Sequence, residues 1–201
     1  MKLIGMLDSP YVRRVAISAK CLGIDLEHES VSVFRHFERF QQINPVVKAP
    51  TLILDDGVVL MDSTLILDYL EASCGKSLLP SDLKHRAQAL RLIGLSLAAC
   101  EKSVQLYYER NLRPADIQYQ PWVERVEGQL AAAFTALEKE LEHSDLPVDG
   151  SLAQTGISLA VAWSFTELVV PDQIDATRFA RIAEYTAYAE GTDAFINTPM
   201  N

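Results

Sequence analysis

The chain has 201 residues, of which 49% are hydrophobic and 22% are charged, a composition typical of a folded globular protein rather than a disordered one. The net charge of −9, with no dense Lys/Arg stripe, excludes nucleic acid as a natural partner and predicts repulsion from an anionic membrane. The longest apolar stretch, residues 156–170, is interrupted by polar side chains and falls short of a membrane-spanning helix.

Compartment and metal content can also be predicted from the sequence. Only a very short apolar run precedes Asp8, too little for a secretory signal, so we expect a cytoplasmic protein. Cys21, Cys74 and Cys100 are widely spaced and form no CxxC pair, and the four histidines lack metal-ligand spacing. We therefore predict neither a disulfide framework nor a metal site.

The first predicted elements form a βαβ unit. Residues 2–7 are a short apolar run, and Ser9 followed by Pro10 is a typical helix start. Apolar residues then recur at helical spacing until Gly23, which is placed to end the helix. Residues 28–33 predict a second strand, parallel and adjacent to the first.

The next predicted elements complete the order βαβαββα. Residues 34–43 are moderately helical. The β-prone runs 51–55 and 58–61 flank an Asp-Gly pair, which is a strong hairpin signal. Ser63 is then predicted to cap a helix that ends near Gly75.

From residue 83 onward the pattern is helical only. Residues 76–81, which contain a proline, are the predicted linker. A long helix at 83–110 and an amphipathic helix at 123–141 are predicted to form a hairpin. Residues 156–170 are apolar on nearly all sides, as in the central helix of a bundle, and residues 179–186 predict a last amphipathic helix.

Three short segments fall at predicted strand ends and helix starts, and they carry a family resemblance: Ser9-Pro10-Tyr11, Lys48-Ala49-Pro50 and Asp62-Ser63. Their spacing resembles that of the cytosolic glutathione transferases. The resemblance spans nearly the whole chain and includes Asn44-Pro45, Leu79-Pro80 and the tail at residues 195–199. It implies an α/β thioredoxin-like domain at residues 1–76, of order βαβαββα, followed by an all-helical domain at residues 83–201.

The resemblance assigns the catalytic hydroxyl to Ser9. Arg13 follows four residues later, as in the serine-type branch of the family, in which the hydroxyl contacts the glutathione sulfur. Lowering a thiol pKa by two units requires about 2.7 kcal/mol, and a hydrogen bond to a charged group supplies roughly 1.5 to 3 kcal/mol. One hydroxyl at a helix start is therefore sufficient. The alternative is that Ser9 only caps its helix.

The resemblance assigns the rest of glutathione to two other segments. Pro50 is expected to follow a cis bond, which turns the backbone groups of Ala49 toward the cysteinyl unit, and Lys48 is expected to meet the glycyl carboxylate. Asp62 and Ser63 are expected to hold the ammonium and carboxylate of the γ-glutamyl end. The alternatives are a trans proline at a strand edge, a solvated lysine and an ordinary helix cap.

Three tyrosines are candidates for the pocket of the second substrate. Tyr11 lies in the first domain, and Tyr107 and Tyr108 lie near the end of the long helix. Because adjacent helical residues point about 100° apart, at most one of Tyr107 and Tyr108 is expected to face a pocket squarely. Core packing or a dimer contact is the alternative for either.

The sequence departs from the family pattern at two places. Val47 stands where bacterial relatives often have glycine before the lysine. Thr155 is expected to cap the helix beginning there, but Ser158 replaces the usual Asp of the capping box, which weakens the reciprocal bond.

The resemblance implies a glutathione transferase, with glutathione as co-substrate, that conjugates small hydrophobic electrophiles for detoxification. It also implies a homodimer. A non-catalytic binding or regulatory protein of the same fold and a glutathione-dependent isomerase are the alternatives. Thiol-disulfide reduction is disfavoured because no cysteine occurs at residues 8–12.

Overall fold

The computed structural model describes residues 1–143 and 146–200. An α/β region is followed by helices, as predicted, and two short 3₁₀ turns lie at Ala115–Ile117 and Pro171–Gln173. The elements in chain order are β1 Lys2–Ile4, α1 Pro10–Leu22, β2 Glu27–Glu29, α2 Phe37–Ile43, β3 Thr51–Ile53, β4 Val59–Met61, α3 Ser63–Cys74, α4 Leu83–Asn111, α5 Gln120–Leu141, α6 Gln154–Val169, α7 Ala180–Glu190 and α8 Asp193–Ile196.

The first helix begins and ends where local sequence signals predict. Pro10 is its first residue, where a missing backbone N–H costs nothing. Gly23 adopts the left-handed conformation, with φ of 75°, and its N–H binds the carbonyl of Lys20 at 3.0 Å. This αL cap satisfies carbonyls at the helix end and is best tolerated by glycine.

A four-stranded mixed sheet forms the centre of the α/β unit, in the order β2-β1-β3-β4. β1 is parallel to β2 and antiparallel to β3, and β3 is antiparallel to β4. Successive side chains of β1 point to opposite faces of the sheet. Leu3 packs in the cluster formed with α1 and α3, whereas Ile4 packs with Phe40 of α2.

The helical unit, Leu79–Glu190, is built around α6. Residues 154–166 of this helix are all buried, as its uniformly apolar sequence predicts. Trp163 of α6 packs against Phe134 of α5, with ring centroids 5.4 Å apart, and against Phe179 at 6.1 Å. Within residues 1–143 and 146–200, the helices lack the combination of length and apolar character that crossing a membrane requires.

The tail corrects the predicted extent of the second domain, residues 83–201. From Gly191 onward the chain groups with residues 1–78 instead. The cause is a long-range contact with α1: the Nε of Arg13 donates to the carbonyl of Thr198 at 2.8 Å, and the guanidinium lies 5.1 Å from the centre of the Phe195 ring. Positions 144, 145 and 201 of the predicted domain lie outside the described residues.

The end of the second strand and the cap of α6 differ from their predictions. The second strand, predicted at 28–33, ends at Glu29, because the Ser32 hydroxyl accepts hydrogen bonds from the N–H groups of Phe34 and Arg35 and turns the chain. The cap of α6 is Ala153 rather than Thr155, which is buried inside the first turn.

Candidate active site

The register of the sheet gathers the three predicted site segments at one edge. Ile4 at the end of β1 pairs with Thr51 at the start of β3, which pairs with Met61 at the end of β4. At this edge of the sheet, the chain leaves β1 for α1, enters β3 after the Ala49–Pro50 bond, and leaves β4 for α3. A Cβ on Gly5, whose φ is 139°, would lie 2.6 Å from Val12 and 3.2 Å from Ala49, so this close approach requires glycine.

Ser9 occupies the N-cap position of α1 without capping it. Its backbone is extended, with φ of −71° and ψ of 124°, and its carbonyl accepts the N–H of Arg13 at 2.9 Å. The Ser9 side chain makes no hydrogen bond to the N–H groups of the helix. The Ser9 hydroxyl therefore does not cap α1, since a capping hydroxyl would accept a hydrogen bond from an N–H of the first turn.

The residue before Ser9 carries a perturbed carboxyl group. Burial raises the pKa of Asp8 above its ordinary value of 3.8, although the charge of Arg35 and the backbone N–H groups of Ser9 and Asp8 act in the opposite direction. The net effect is a carboxylate whose charge is partly desolvated beside the start of α1.

A buried hydrogen-bond network holds the loop that carries Lys48 and the cis Ala49–Pro50 bond. Asn44 is 3% exposed, and its Nδ2 donates to Thr51 Oγ1 at 2.9 Å. The Thr51 hydroxyl in turn donates to the carbonyl of Lys48 at 2.7 Å. The cis bond agrees with the sequence-based prediction, and the Lys48 side chain is exposed.

Val47 has a backbone conformation that explains the glycine common among bacterial relatives. Its φ of 53° lies in the left-handed region, which costs a residue with a Cβ roughly 1–2 kcal/mol. The side chain packs against the cluster that contains Phe40, and this contact offsets part of the strain. The loop is therefore formed with valine despite the unfavourable backbone.

The cap of α3 is Asp62 rather than the predicted Ser63. Asp62 has φ of 71°, and its Oδ1 accepts the N–H of Thr64 at 2.9 Å. Ser63 is 4% exposed, and its hydroxyl accepts a hydrogen bond from Nη1 of Arg14 at 3.0 Å. Because Arg14 occupies an acceptor site of this oxygen, the Ser63 proton is directed to another acceptor.

Arg14 is the site residue that sequence reasoning missed. Arg14 is 3% exposed and joins α1 to the start of α3. Arg13, whose spacing from Ser9 supports the family resemblance, instead donates to the carbonyl of Thr198 in the tail. Adjacent helical residues point about 100° apart, so the two arginines reach different partners. The sequence did show a second arginine within the apolar pattern of the first helix. Its position along the chain, however, did not identify Ser63 as its partner.

The three candidate tyrosines are divided between the two units. Tyr11 is partly buried on α1 in the first unit. On α4 in the helical unit, Tyr107 is partly buried and Tyr108 is 42% exposed, with ring centroids 6.3 Å apart. Tyr108 lines a cleft of that unit, and Tyr107 is not among its lining residues.

Known proteins identify the family of this chain. Residues 3–77 match the family described as "Glutathione S-transferase, N-terminal domain". Glutathione S-transferase theta-2 of Rattus norvegicus is 30% identical over 203 aligned residues, covering 98% of this chain and 82% of the rat protein. The chain belongs to the glutathione S-transferase family. An uncharacterized GST-like protein of Escherichia coli, YibF, is 26% identical over 187 residues, covering 92% of both proteins.

A solved member of the glutathione S-transferase family shares the fold over the full length. A glutathione transferase family member from Pseudomonas fluorescens, crystallised with bound glutathione, matches with a TM-score of 0.86 and 26% identity. The match covers 100% of this chain and 98% of the other. The thioredoxin-like first domain and the helical region predicted from sequence are thus confirmed as the transferase fold.

Proposed function

We propose that this member of the family is a glutathione transferase in which Ser9 stabilises the glutathione thiolate for attack on a small hydrophobic electrophile. The carrying observation is that the Ser9 side chain stands at the start of α1 without bonding to the N–H groups of that helix. A hydroxyl in this position can donate to a thiolate, and the helix amino terminus favours the same negative charge. Glutathione bound in the Pseudomonas relative supports the choice of co-substrate.

The remaining groups of glutathione are assigned to the other two segments. The backbone of Ala49, before the cis Pro50, pairs with the cysteinyl unit, and the exposed Lys48 meets the glycyl carboxylate. At the γ-glutamyl end, Asp62 meets the ammonium group. Ser63 donates its proton to the carboxylate, because Arg14 already donates to the Ser63 oxygen.

The proposal assigns the second substrate to aromatic side chains. Tyr11 and one of Tyr107 and Tyr108 supply apolar surface for the electrophile, with a phenol group at the edge of each ring. Attack by the thiolate forms a carbon–sulfur bond, and the electrophile either loses its leaving group or accepts a proton on addition. Detoxification of such electrophiles is the role that fits this chemistry.

Glutathione titration tests the role of Ser9. Calorimetry measures binding, and ultraviolet absorbance of the bound thiolate against pH measures the thiol pKa in wild type and in Ser9→Ala. We expect the pKa of the bound thiol to rise by about 1–2 units in Ser9→Ala, since a charged hydrogen bond contributes roughly 1.5–3 kcal/mol. Ser9→Thr, which keeps a hydroxyl, should restore most of the shift.

A matched control is Ser73→Ala, because Ser73 is exposed and, among the described residues, its hydroxyl bonds only to the carbonyl of Leu70 in the same helix. It should leave the thiol pKa unchanged. An unchanged titration in Ser9→Ala would show that another group activates the sulfur. If the protein binds glutathione but turns over no electrophile of a broad panel, the non-catalytic alternative is favoured. If it catalyses only the cis–trans isomerisation of a double bond, the isomerase alternative is favoured.

The proposal includes a cytoplasmic homodimer. Apolar side chains on the edge strand β4 and on α3 support a partner on this surface: Val59 is 43% exposed, Met61 38%, Leu65 65% and Tyr69 38%. Light scattering should give twice the chain mass of 22.3 kDa, and Leu65→Glu should lower it toward one chain mass. Cys21, Cys74 and Cys100 are not joined by disulfide bonds.

A further inference from the structure

Asp8 places a carboxylate at the start of α1, one residue before Ser9. The residue is partly buried, and its carboxylate accepts hydrogen bonds from the backbone N–H groups of Ser9 and of Asp8 itself. These hydrogen bonds hold the negative charge next to the Ser9 backbone. A helix amino terminus favours a neighbouring anion, whereas a second negative charge disfavours it. Asp8 therefore acts against the ionisation of a thiol that is brought to Ser9.

The turn between β2 and α2 carries a positive charge on a fixed backbone. Ser32 is 5% exposed, and its hydroxyl accepts the N–H groups of Phe34 at 3.2 Å and of Arg35 at 3.1 Å. His36 donates its N–H to the carbonyl of Ser32 at 3.0 Å, and its Nδ1 accepts the N–H of Ser32 at 3.2 Å. These hydrogen bonds fix the backbone from which the Arg35 side chain extends.

The charge of Arg35 acts on Asp8. Arg35 is exposed, and it lies close enough to Asp8 to lower the pKa of that carboxyl, against the larger upward effect of burial. Arg39, four residues further along the same segment, instead pairs with Glu29 of β2, so its charge is balanced locally. Asp8 and Arg35 thus form a pair of opposite charges next to Ser9.

We propose that Asp8 and Arg35 together set how readily glutathione held at Ser9 loses its thiol proton to water, with Asp8 disfavouring the thiolate and Arg35 favouring it. The inference rests on the proposed function and adds two residues that act on the sulfur through their charges. Such a balance has a chemical use, because a thiolate becomes a weaker nucleophile as its pKa falls, and a thiol is most reactive when its pKa is near the surrounding pH. Ser9 and the helix start lower the thiol pKa, and Asp8 limits the decrease.

Ultraviolet titration of bound glutathione measures the effect of each charge. Asp8→Asn leaves Arg35 in place, so the pKa of the bound thiol should fall by about 0.5–1 unit, and Arg35→Gln should raise it by a similar amount. These shifts are smaller than the roughly 1–3 units found for charges 4–6 Å apart, because Arg35 is exposed and salt screens its field. The double variant Asp8→Asn/Arg35→Gln should titrate close to wild type.

Two variants are matched controls. Arg39→Gln removes the same charge from the same segment, but that arginine is 59% exposed and paired with Glu29, so the thiol pKa should not change. Arg35→Lys keeps the positive charge and should keep the wild-type thiol pKa.

Carbon NMR titration of the Asp8 carboxyl tests the pair without glutathione. Arg35→Gln should raise the pKa of Asp8, because the lowering effect of the guanidinium is lost. Added glutathione should then raise the pKa of Asp8 by as much as Asp8 raises that of the thiol, since coupling between two ionising groups is reciprocal.

The proposal is overturned if Asp8→Asn raises the thiol pKa or leaves it unchanged, because Asp8 would then not oppose ionisation. It is also overturned if Arg35→Gln fails to raise the thiol pKa, or if Arg39→Gln raises it equally. Absence of glutathione binding in wild type would overturn both this inference and the proposed function. Glutathione binding with a raised thiol pKa in Ser9→Ala, but unchanged titrations in Asp8→Asn and Arg35→Gln, would overturn this inference alone.

Discussion

Asn44→Ala should loosen the loop that carries Lys48 and the cis Ala49–Pro50 bond. In the folded protein, the Asn44 amide donates to Thr51 Oγ1 at 2.9 Å, and its Oδ1 accepts the N–H of Val46 at 3.1 Å. Thr51 is fully buried and passes its own proton to the carbonyl of Lys48 at 2.7 Å. One side chain therefore supports the loop at two points.

The loss of unfolding free energy in Asn44→Ala depends on which of the two hydrogen bonds of Asn44 water can replace. Val46 is 61% exposed, so water can take over the bond to its N–H at little cost. Thr51 is inaccessible, and leaving its oxygen without a donor costs about 1–3 kcal/mol. We expect a total loss of about 2 kcal/mol, which for a chain of this length lowers the melting temperature by about 4–8 °C.

Thermal unfolding followed by far-ultraviolet circular dichroism measures this loss, and calorimetry with glutathione measures its effect on the site. Partial loosening of the backbone at residues 48 and 49 should weaken glutathione binding about tenfold, which corresponds to about 1.4 kcal/mol, the approximate cost of ordering one residue. Asn44→Asp is a sharper probe. It keeps an acceptor for Val46 but presents a buried carboxylate to Thr51, so it should be at least as destabilising as alanine.

A double-mutant cycle with Thr51→Val decides whether the two residues act together. If the network is real, Asn44→Ala should cost about 1 kcal/mol less in the Thr51→Val background than in wild type. Strict additivity of the two substitutions, or a melting temperature for Asn44→Ala within about 1 °C of wild type, would refute the reasoning.

Three further substitutions should change thermal stability, two of them in opposite directions and the third in a way that depends on pH. A Cβ on Gly156 would lie 1.9 Å from the hydroxyl of buried Tyr185, so Gly156→Ala should cost about 1–3 kcal/mol. Gly128→Ala, in open space on α5, should instead stabilise by about 1 kcal/mol; equal effects would contradict this packing argument. Because the folded-state pKa of Asp8 is raised, its ionisation costs stability as pH rises from 3.8 through that pKa. Asp8→Asn should therefore melt above wild type at pH 7, with a difference that shrinks on acidification; a pH-independent difference would contradict it.

The amino-acid sequence by itself predicted the order of the elements and placed the three site segments at strand ends and helix starts. Pro10 and Gly23 fix the ends of α1, and the Asp-Gly pair lies between β3 and β4. These features are visible in the sequence because each acts locally, through its own backbone angles or a neighbouring carbonyl. The three site segments were identified by their spacing, which is a property of the chain alone. Their chemistry as a site came from the family resemblance and stays a prediction for Ser9, Lys48 and Asp62.

Only the tertiary structure decided which side chains support that site. Arg14 binds Ser63, 49 positions away, and Arg13 binds Thr198, 185 positions away. No local pattern encodes such partners, because they depend on how α1, α3 and the tail pack. The same packing left the Ser9 hydroxyl out of the helix cap, which the Ser-Pro pair in the sequence could not decide. Local backbone preferences act over a few residues, whereas buried polar side chains find their partners only after the chain has folded.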